Sequence, residues 1–444
     1  MHLVERFARF AEDARREPLP REVLHHAKRA LIDWYAALLP GAIVPPASAL
    51  ERAFAEELDR GEARLALGRR ATARVAALIN GAAAHTAEFD DIFRDGIYHP
   101  GAPTIAAALA LGQKERISGE GLLRAITVGY EISTRIGAAM GRPHYRWWHN
   151  TGTIGCFGAA AACAEILALD AARFAHALAT AATFSAGLQQ AFRNDSMSKP
   201  LHAGHAAEAG LTAALAAREG VTGSLDILEA PEGYAAAMGY GPERQPDWER
   251  VMANLGRAFN ITQMTFKNHG CCGHTFAAID GALELQRRMG FAAREVERID
   301  VGTYRAGVEV SHYEDPRTPA EGRFSLRYVV ASALAHGSVR LSAFEPARLR
   351  DPATRALMKK INVAIDPELD ARFPAHRAAR VAITAAGRRE EFLQPTRKGD
   401  PDLPLSDGEL DQKFLELAVP VLGGGPAQAL LASLWRLEEQ KTLA

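Results

Sequence analysis

HNTGTIGCFGAAAACAEILALD, residues 149–170, is the stretch on which the fold turns. Alanine and glycine dominate it from Thr153 to Leu167, and little in it alternates with a period of two. Small side chains let helix axes approach closely, so the segment reads as a helix buried in a dense bundle. Ala71 to His85, Pro103 to Gln113, Gly119 to Met140 and Ala203 to Arg218 repeat the theme. Arg21 to Leu39 sets Val23, Ala27, Ala30, Leu31 and Trp34 at three- and four-residue spacings, an amphipathic stripe. Pro18 and Pro20 precede it, and Pro40-Gly41 is expected to end it. Residues 1 to about 260 therefore read almost entirely as helices.

The pattern changes after about residue 265. In Arg294–Tyr304, Ile299 and Val301 keep a period of two while Val296 falls out of phase, which reads as a strand. Ala379–Thr384 and Arg389–Leu393 predict a hairpin across Ala386-Gly387. Helices are expected at Thr275 to Met289, Leu326 to His336 and Asp351 to Ile361. KGDPDLPLSD (398–407) reads as a Pro/Asp-rich linker, followed by helices at Gly408 to Ala418 and Pro426 to Glu438. The expected fold is mainly α: a large all-helical domain (1–264 and 400–444) with a smaller inserted α+β lid domain (265–399).

Composition narrows the function. The 444 residues carry 52 Lys+Arg against 53 Asp+Glu, without the basic excess of a generic nucleic-acid binder. Only nine of the 52 cations are lysines, so each lysine in a structured motif draws notice. Cys156, Cys163, Cys271 and Cys272 offer no disulfide framework and no CxxC, which points to a reduced, cytoplasmic setting and no structural zinc. MHLVERFARFAEDARREP lacks an apolar signal core, and stretches such as TIAAALALG are too short to span a membrane. The expectation is a protein with no membrane and no nucleic-acid partner.

Four polar clusters interrupt the helices. His85-Thr-Ala-Glu-Phe-Asp-Asp91 with Tyr98-His99-Pro-Gly brings Glu88, Asp90, Asp91 and His99 within twelve residues, between two strong helices. Acid–base groups suit such a loop, and helix capping by Asp91 with a buried helix-end His85 is the alternative. Trp147-Trp148-His149-Asn-Thr-Gly-Thr153 enters the Ala-rich helix, where Asn150 or Thr151 could cap and the amides favour an anion; a packed aromatic loop is the other reading. Asn194-Asp-Ser-Met-Ser-Lys199-Pro-Leu-His202 places Lys199 and His202 at a helix mouth, in a weak S-x-x-K pattern. Lys267-Asn-His269-Gly-Cys-Cys-Gly-His274 crowds the proposed domain junction, with the cysteines read as small core side chains rather than as nucleophiles.

There is no GxxxxGK[ST], HExxH, GxSxG or strand-borne GxGxxG, so nothing invokes ATP, NAD, a zinc hydrolase or an α/β-hydrolase. What remains is two lysines, several histidines and a carboxylate cluster. That set suits a small-molecule substrate with several carboxylates and proton transfer at a carbon beside one of them.

In this order the clusters resemble the MmgE/PrpD family of 2-methylcitrate dehydratase, cis-aconitate decarboxylase and iminodisuccinate epimerase. The segments that carry the resemblance are HTAEFDD…HPGAP (85–103), GYEISTRIG (129–137), 149–170, SMSKPLHAGHAAEAGL (196–211), KNHGCCGHTFAAIDGALEL (267–285), GRFSLRY (322–328) and KGDPDLPLSDGELDQKF (398–414). The resemblance implies a homodimer with neither metal nor organic cofactor. It also implies a site with Glu88, Asp91, His99, His149, Lys199, Lys267 and His274 as catalytic groups; from the same clusters Thr151, Thr153, His202 and His269 are expected beside the substrate.

Lysines and the Thr151–Thr153 helix entry would hold carboxylates and an enediolate, and one of His99, His149 or His274 would take the α-proton. Glu88 or Asp91 would serve as the acid. A 2-methylcitrate dehydratase-like hydro-lyase ranks first. Epimerisation of an amino-dicarboxylate and decarboxylation of cis-aconitate are alternatives, as is a helical interaction protein with structural histidines.

Overall fold

The computed structural model describes residues 1–192 and 196–443, so Asn194 and Asp195 of the third cluster lie outside the described residues. The chain divides into two compact units, Met1–Thr265 with Asp407–Ala444, and Phe266–Ser406.

The first unit is a helical bundle. Arg21–Ala42, Ala73–Thr86, Gly101–Glu115, Gly119–Tyr145, Gly155–Ile166 and Ser198–Arg218 form its centre. Close approach is what the small residues provide. A Cβ on Gly129 would stand 2.5 Å from Thr104 Cγ2 and 2.7 Å from the Gly158 carbonyl, and one on Gly210 would meet Ala159 Cβ at 2.5 Å. No larger side chain fits there without moving a helix. Thr72, Ser118 and Asp170 cap their helices through backbone N–H groups of Val75, Gly121 and Arg173.

Two expectations need correction here. The helix from Arg21 runs through Pro40 to Ala42, since a proline near a helix C-terminus disturbs only the last turn. The unit is also not purely helical. Leu58–Arg64 and Arg70–Ala71 form a small antiparallel ribbon, with Asp59 and Gly61 at positive φ within its irregular first strand. Gly119–Tyr145 breaks at Gly141 (φ +49), just past the expected end at Met140.

Asp407–Leu422 packs against Arg21–Ala42 through ion pairs. Arg29 meets Asp407, and Lys413 Nζ donates to Asp33 Oδ1 at 2.5 Å with both side chains buried. No single helix among the described residues is long and apolar enough to cross a membrane.

The second unit is α+β. Its four-stranded sheet runs Ile361–Ile365, Val296–Thr303, Ala379–Ala385, Arg388–Gln394, with the first pair parallel and the others antiparallel. The hairpin turns through Ala386 (φ +49) and Gly387 (φ +72), the two positive-φ residues a type I′ turn needs. Val296 is out of phase because the register shifts between Val296 and Arg298; the bulge leaves Val296, Ile299 and Val301 all buried. Helix Pro352–Met358 is shorter than expected, and Ile361 opens a strand instead. Phe276–Met289 and Leu326–His336 complete the unit's core.

The stretch read as a linker belongs to this unit as far as Ser406. It is tied down by the buried Arg397–Asp400 ion pair at 2.9 Å and by the Phe266 N–H donating to the Gly399 carbonyl at 2.9 Å.

Candidate active site

Helix Ala73–Thr86 ends in a loop that carries most of the chemistry of the first unit. His85 sits in its last turn, fully buried. Glu88 follows at φ +59, a left-handed conformation that costs a non-glycine residue on the order of 1 kcal/mol. That turn swings its carboxylate onto Lys199, in the first turn of Ser198–Arg218, and the two form an ion pair. Bridges between Ile92 and Thr265 and between Phe93 and Tyr98 pin the rest of the loop.

The adjacent Asp90 and Asp91 face different partners. Asp90 Oδ2 lies 2.7 Å from His85 Nδ1 and 3.3 Å from His99 Nδ1. Burial alone would raise the Asp90 carboxyl; the charges and hydrogen bonds of the two histidines outweigh it and hold the group well below the usual carboxylate range. Asp91 instead accepts from the Tyr130 hydroxyl at 2.8 Å and the Gly101 N–H at 3.0 Å. Burial, with the Asp33 charge adding to it, pushes this carboxyl up to about 8, so Asp91 is protonated at neutral pH. Gly101 is required for this contact: a Cβ there would stand 2.7 Å from Tyr130 Oη and 2.9 Å from Asp91 Oδ1.

His149 precedes the short helix Asn150–Thr153 and donates its backbone N–H to the Gly187 carbonyl at 2.9 Å. Its ring stacks on His85 with centroids 5.2 Å apart, and its Nδ1 lies 3.1 Å from His202 Nδ1. His85 and His99 meet edge to face at 4.9 Å. The result is a continuous row of imidazoles, His202–His149–His85–His99, beside the Lys199 ammonium. Burial, then neighbouring cations, keep the row uncharged at its His149 end. His149 is lowered well below its ordinary value and His202 to about 4.

Gly187 makes room for this row. Its φ of +128 suits glycine, and a Cβ would stand 3.0 Å from His202 Nδ1. Gly187→Ala is expected to displace His202 and lower kcat by roughly 10–100-fold, while the far-ultraviolet circular dichroism stays that of wild type. Unaltered kinetics would remove His202 from the site.

The helix entry departs from expectation. Asn150 donates to the Gly96 carbonyl at 2.6 Å rather than capping. Thr151 Oγ1 accepts from the His99 N–H at 3.3 Å. The Thr153 hydroxyl is bonded to His144 Nε2 at 2.7 Å and is wholly buried, so its hydroxyl is engaged within the protein. Trp147 is exposed, with Arg146 over its ring, and is no part of a packed aromatic loop.

The second unit holds the fourth cluster. Lys267 is buried. His269 Nε2 lies 2.9 Å from Asp280 Oδ1, whose other oxygen accepts from the Lys398 N–H at 2.8 Å. That contact ties His269 to the structure of its own unit. His274 Nδ1 is 2.8 Å from the Tyr304 hydroxyl, and Tyr304 stacks on Phe373 at 4.5 Å. Burial, then Arg377 and Arg397, lower His274 to about 4. Burial also pushes both cysteine thiols up, leaving them protonated and poorly nucleophilic.

The first unit thus gathers Glu88, Asp91, His99, His149, Lys199, His202 and Thr151; Lys267, His269 and His274 lie in the second. Tyr130, in the GYEISTRIG segment, was not expected as a site residue. Nothing local marks it, because it meets Asp91 across 39 positions of sequence. Among the described residues, His85, Asp90 and His99 bring ligand atoms within 4.8 Å of one another, a spacing that would admit a cation. A cavity of about 510 Å³ lies elsewhere, between Phe10, Pro18, Leu19, Gly256 and Phe259.

Acid stability tests these protonation states. His144, His202 and His274 each have a folded value near 4 against 6.5 unfolded, so the unfolded chain binds more protons between those limits. Their contribution is present above pH 6.5 and lost as pH falls toward 4. Asp91, raised from 3.8 to about 8, opposes them, as do the raised carboxyls of Glu131 and Glu165, while the lowered His26, His149 and His336 add to the three. The Tm is therefore expected to fall from pH 6.5 to 4.5, and His144→Gln to flatten that fall. A Tm constant across the window contradicts the assignment.

Comparison with known proteins divides the chain near the same point between the units, with the C-terminal profile running on into the segment from Asp407. A family profile described as the MmgE/PrpD N-terminal domain matches residues 5–247, and the MmgE/PrpD C-terminal domain matches 269–439. A cis-aconitate decarboxylase-like protein of Aspergillus oryzae is 29% identical over 95% of this chain and 91% of its own length. The cis-aconitate decarboxylase of Mus musculus is 28% identical, covering 82% of this chain and 75% of its own. That of Aspergillus terreus is 26% identical, covering 84% and 80%.

Proposed function

This chain belongs to the MmgE/PrpD family, and from that premise we propose that it is a cofactor-independent lyase on a tricarboxylate, with decarboxylation of cis-aconitate as its reaction. The relatives named above carry that activity in their names, which favours it over the dehydration of 2-methylcitrate that ranked first on sequence. The observation that carries the reading is the Lys199 ammonium beside a buried row of imidazoles whose His149 end is uncharged.

In cis-aconitate, the bond between the methylene carbon and its carboxylate breaks and CO2 leaves. The released pair forms the new C=C, and the old π pair takes a proton at the vinyl carbon. The enzyme must supply one proton and hold the remaining negative charge. Lys199 exchanges Glu88 for a substrate carboxylate, a charge-assisted contact of the same kind. His99 takes up the proton from solvent on Nε2 and passes it to the vinyl carbon, because its Nδ1 is turned to Asp90. His149 and His202, uncharged at neutral pH, line the substrate without adding charge.

Ligand-induced stabilisation tests the reading. At a hundredfold excess over Kd, binding adds about 2.7 kcal/mol to the folded state. Cis-aconitate at millimolar concentration is expected to raise the Tm more than citrate, methylcitrate or iminodisuccinate. A panel that leaves the Tm unmoved contradicts a polycarboxylate substrate.

A further inference from the structure

We infer that Asp90 is a positioning residue that locks the tautomers of two histidines at once, with His85 as the strut that keeps its carboxylate in place. The inference rests on the reading of His99 as the proton carrier.

Both imidazoles approach the same carboxylate oxygen through the same ring atom. His85 Nδ1 is 2.7 Å from Asp90 Oδ2, and His99 Nδ1 is 3.3 Å from it. An ionised carboxylate accepts hydrogen bonds and donates none, so His85 brings its proton on Nδ1 in a hydrogen bond, and the ion-pair contact of His99 Nδ1 with the same oxygen favours the same tautomer there. Nε2 is then the basic nitrogen of each. For His99 that defines which atom exchanges a proton with substrate. A carboxylate behind an imidazole also stabilises the imidazolium that forms on protonation.

His85 does something different. It is fully buried, in the last turn of Ala73–Thr86, and its Nε2 has no hydrogen-bond partner. A fixed ring on a helix holds Asp90 more firmly than a loop backbone alone, and it also stacks beneath His149 at 5.2 Å. One carboxylate therefore sets the orientation of the proton carrier directly and of its neighbour through His85. The ionised state of Asp90, held by the same two histidines, agrees with the geometry.

The test combines ¹⁵N NMR of the full-length protein labelled in its histidine rings with kinetics on cis-aconitate. Signals are assigned by loss in His85→Asn and His99→Asn. Wild type is expected to show both rings in the Nδ1–H form near neutral pH. Asp90→Asn is expected to lose that form at His99 and to lower kcat on the order of 10²–10⁴-fold with KM within about threefold. An Nε2–H form of His99 in wild type overturns the inference, as does a folded Asp90→Asn enzyme with wild-type kcat. If wild type leaves cis-aconitate untouched, the proposed reaction fails. The tautomer measurement needs no substrate and still decides this inference.

Discussion

Lys413→Met is expected to destabilise the first unit by about 3–5 kcal/mol, the effect of leaving a buried carboxylate without its partner. Lys413 and Asp33 are both buried, and their ion pair joins helix Asp407–Leu422 to Arg21–Ala42. Lys413 Nζ also donates to the Phe89 carbonyl at 2.9 Å and lies 5.4 Å from the Phe89 ring centroid. One ammonium thus holds the C-terminal segment against the loop that carries Glu88, Asp90 and Asp91. Urea unfolding followed by circular dichroism measures the loss. The double variant Lys413→Met/Asp33→Leu is expected to recover most of it, since a buried ion pair replaced on both sides is often neutral. A single variant within about 1 kcal/mol of wild type contradicts the role of the pair.

The second large effect is catalytic. His99→Asn is expected to lower kcat by roughly 10²–10⁴-fold, the usual contribution of a positioned general acid–base group. KM is expected to change little, because carboxylate binding is assigned to Lys199. Steady-state kinetics on cis-aconitate separates the two parameters. A rise in KM at constant kcat would make His99 a binding group and move the proton to another residue.

Much of this was legible in the chain itself, for identifiable reasons. The Ala/Gly run within 149–170 suits a closely packed helix, and Gly155–Ile166 forms one. Ala386-Gly387 could turn only one way. The four polar clusters stood out because they interrupt apolar helices, and three of them supply the imidazole row and its lysine. What escaped notice depends on long-range contact. Nothing local marks Lys413, because it meets Asp33, 380 positions away. Thr153 looked like a helix-entry anion binder, and only the fold brings His144 onto its hydroxyl. Val296 broke the alternation because a bulge is a one-residue insertion, which a strict period of two cannot accommodate.

Proton NMR of the enzyme with cis-aconitate in D2O tests the central claim most directly. The account predicts conversion to itaconate and CO2, with one deuteron delivered to the carbon that was vinylic. Cis-aconitate left intact, with no deuterium entering it, would contradict the account.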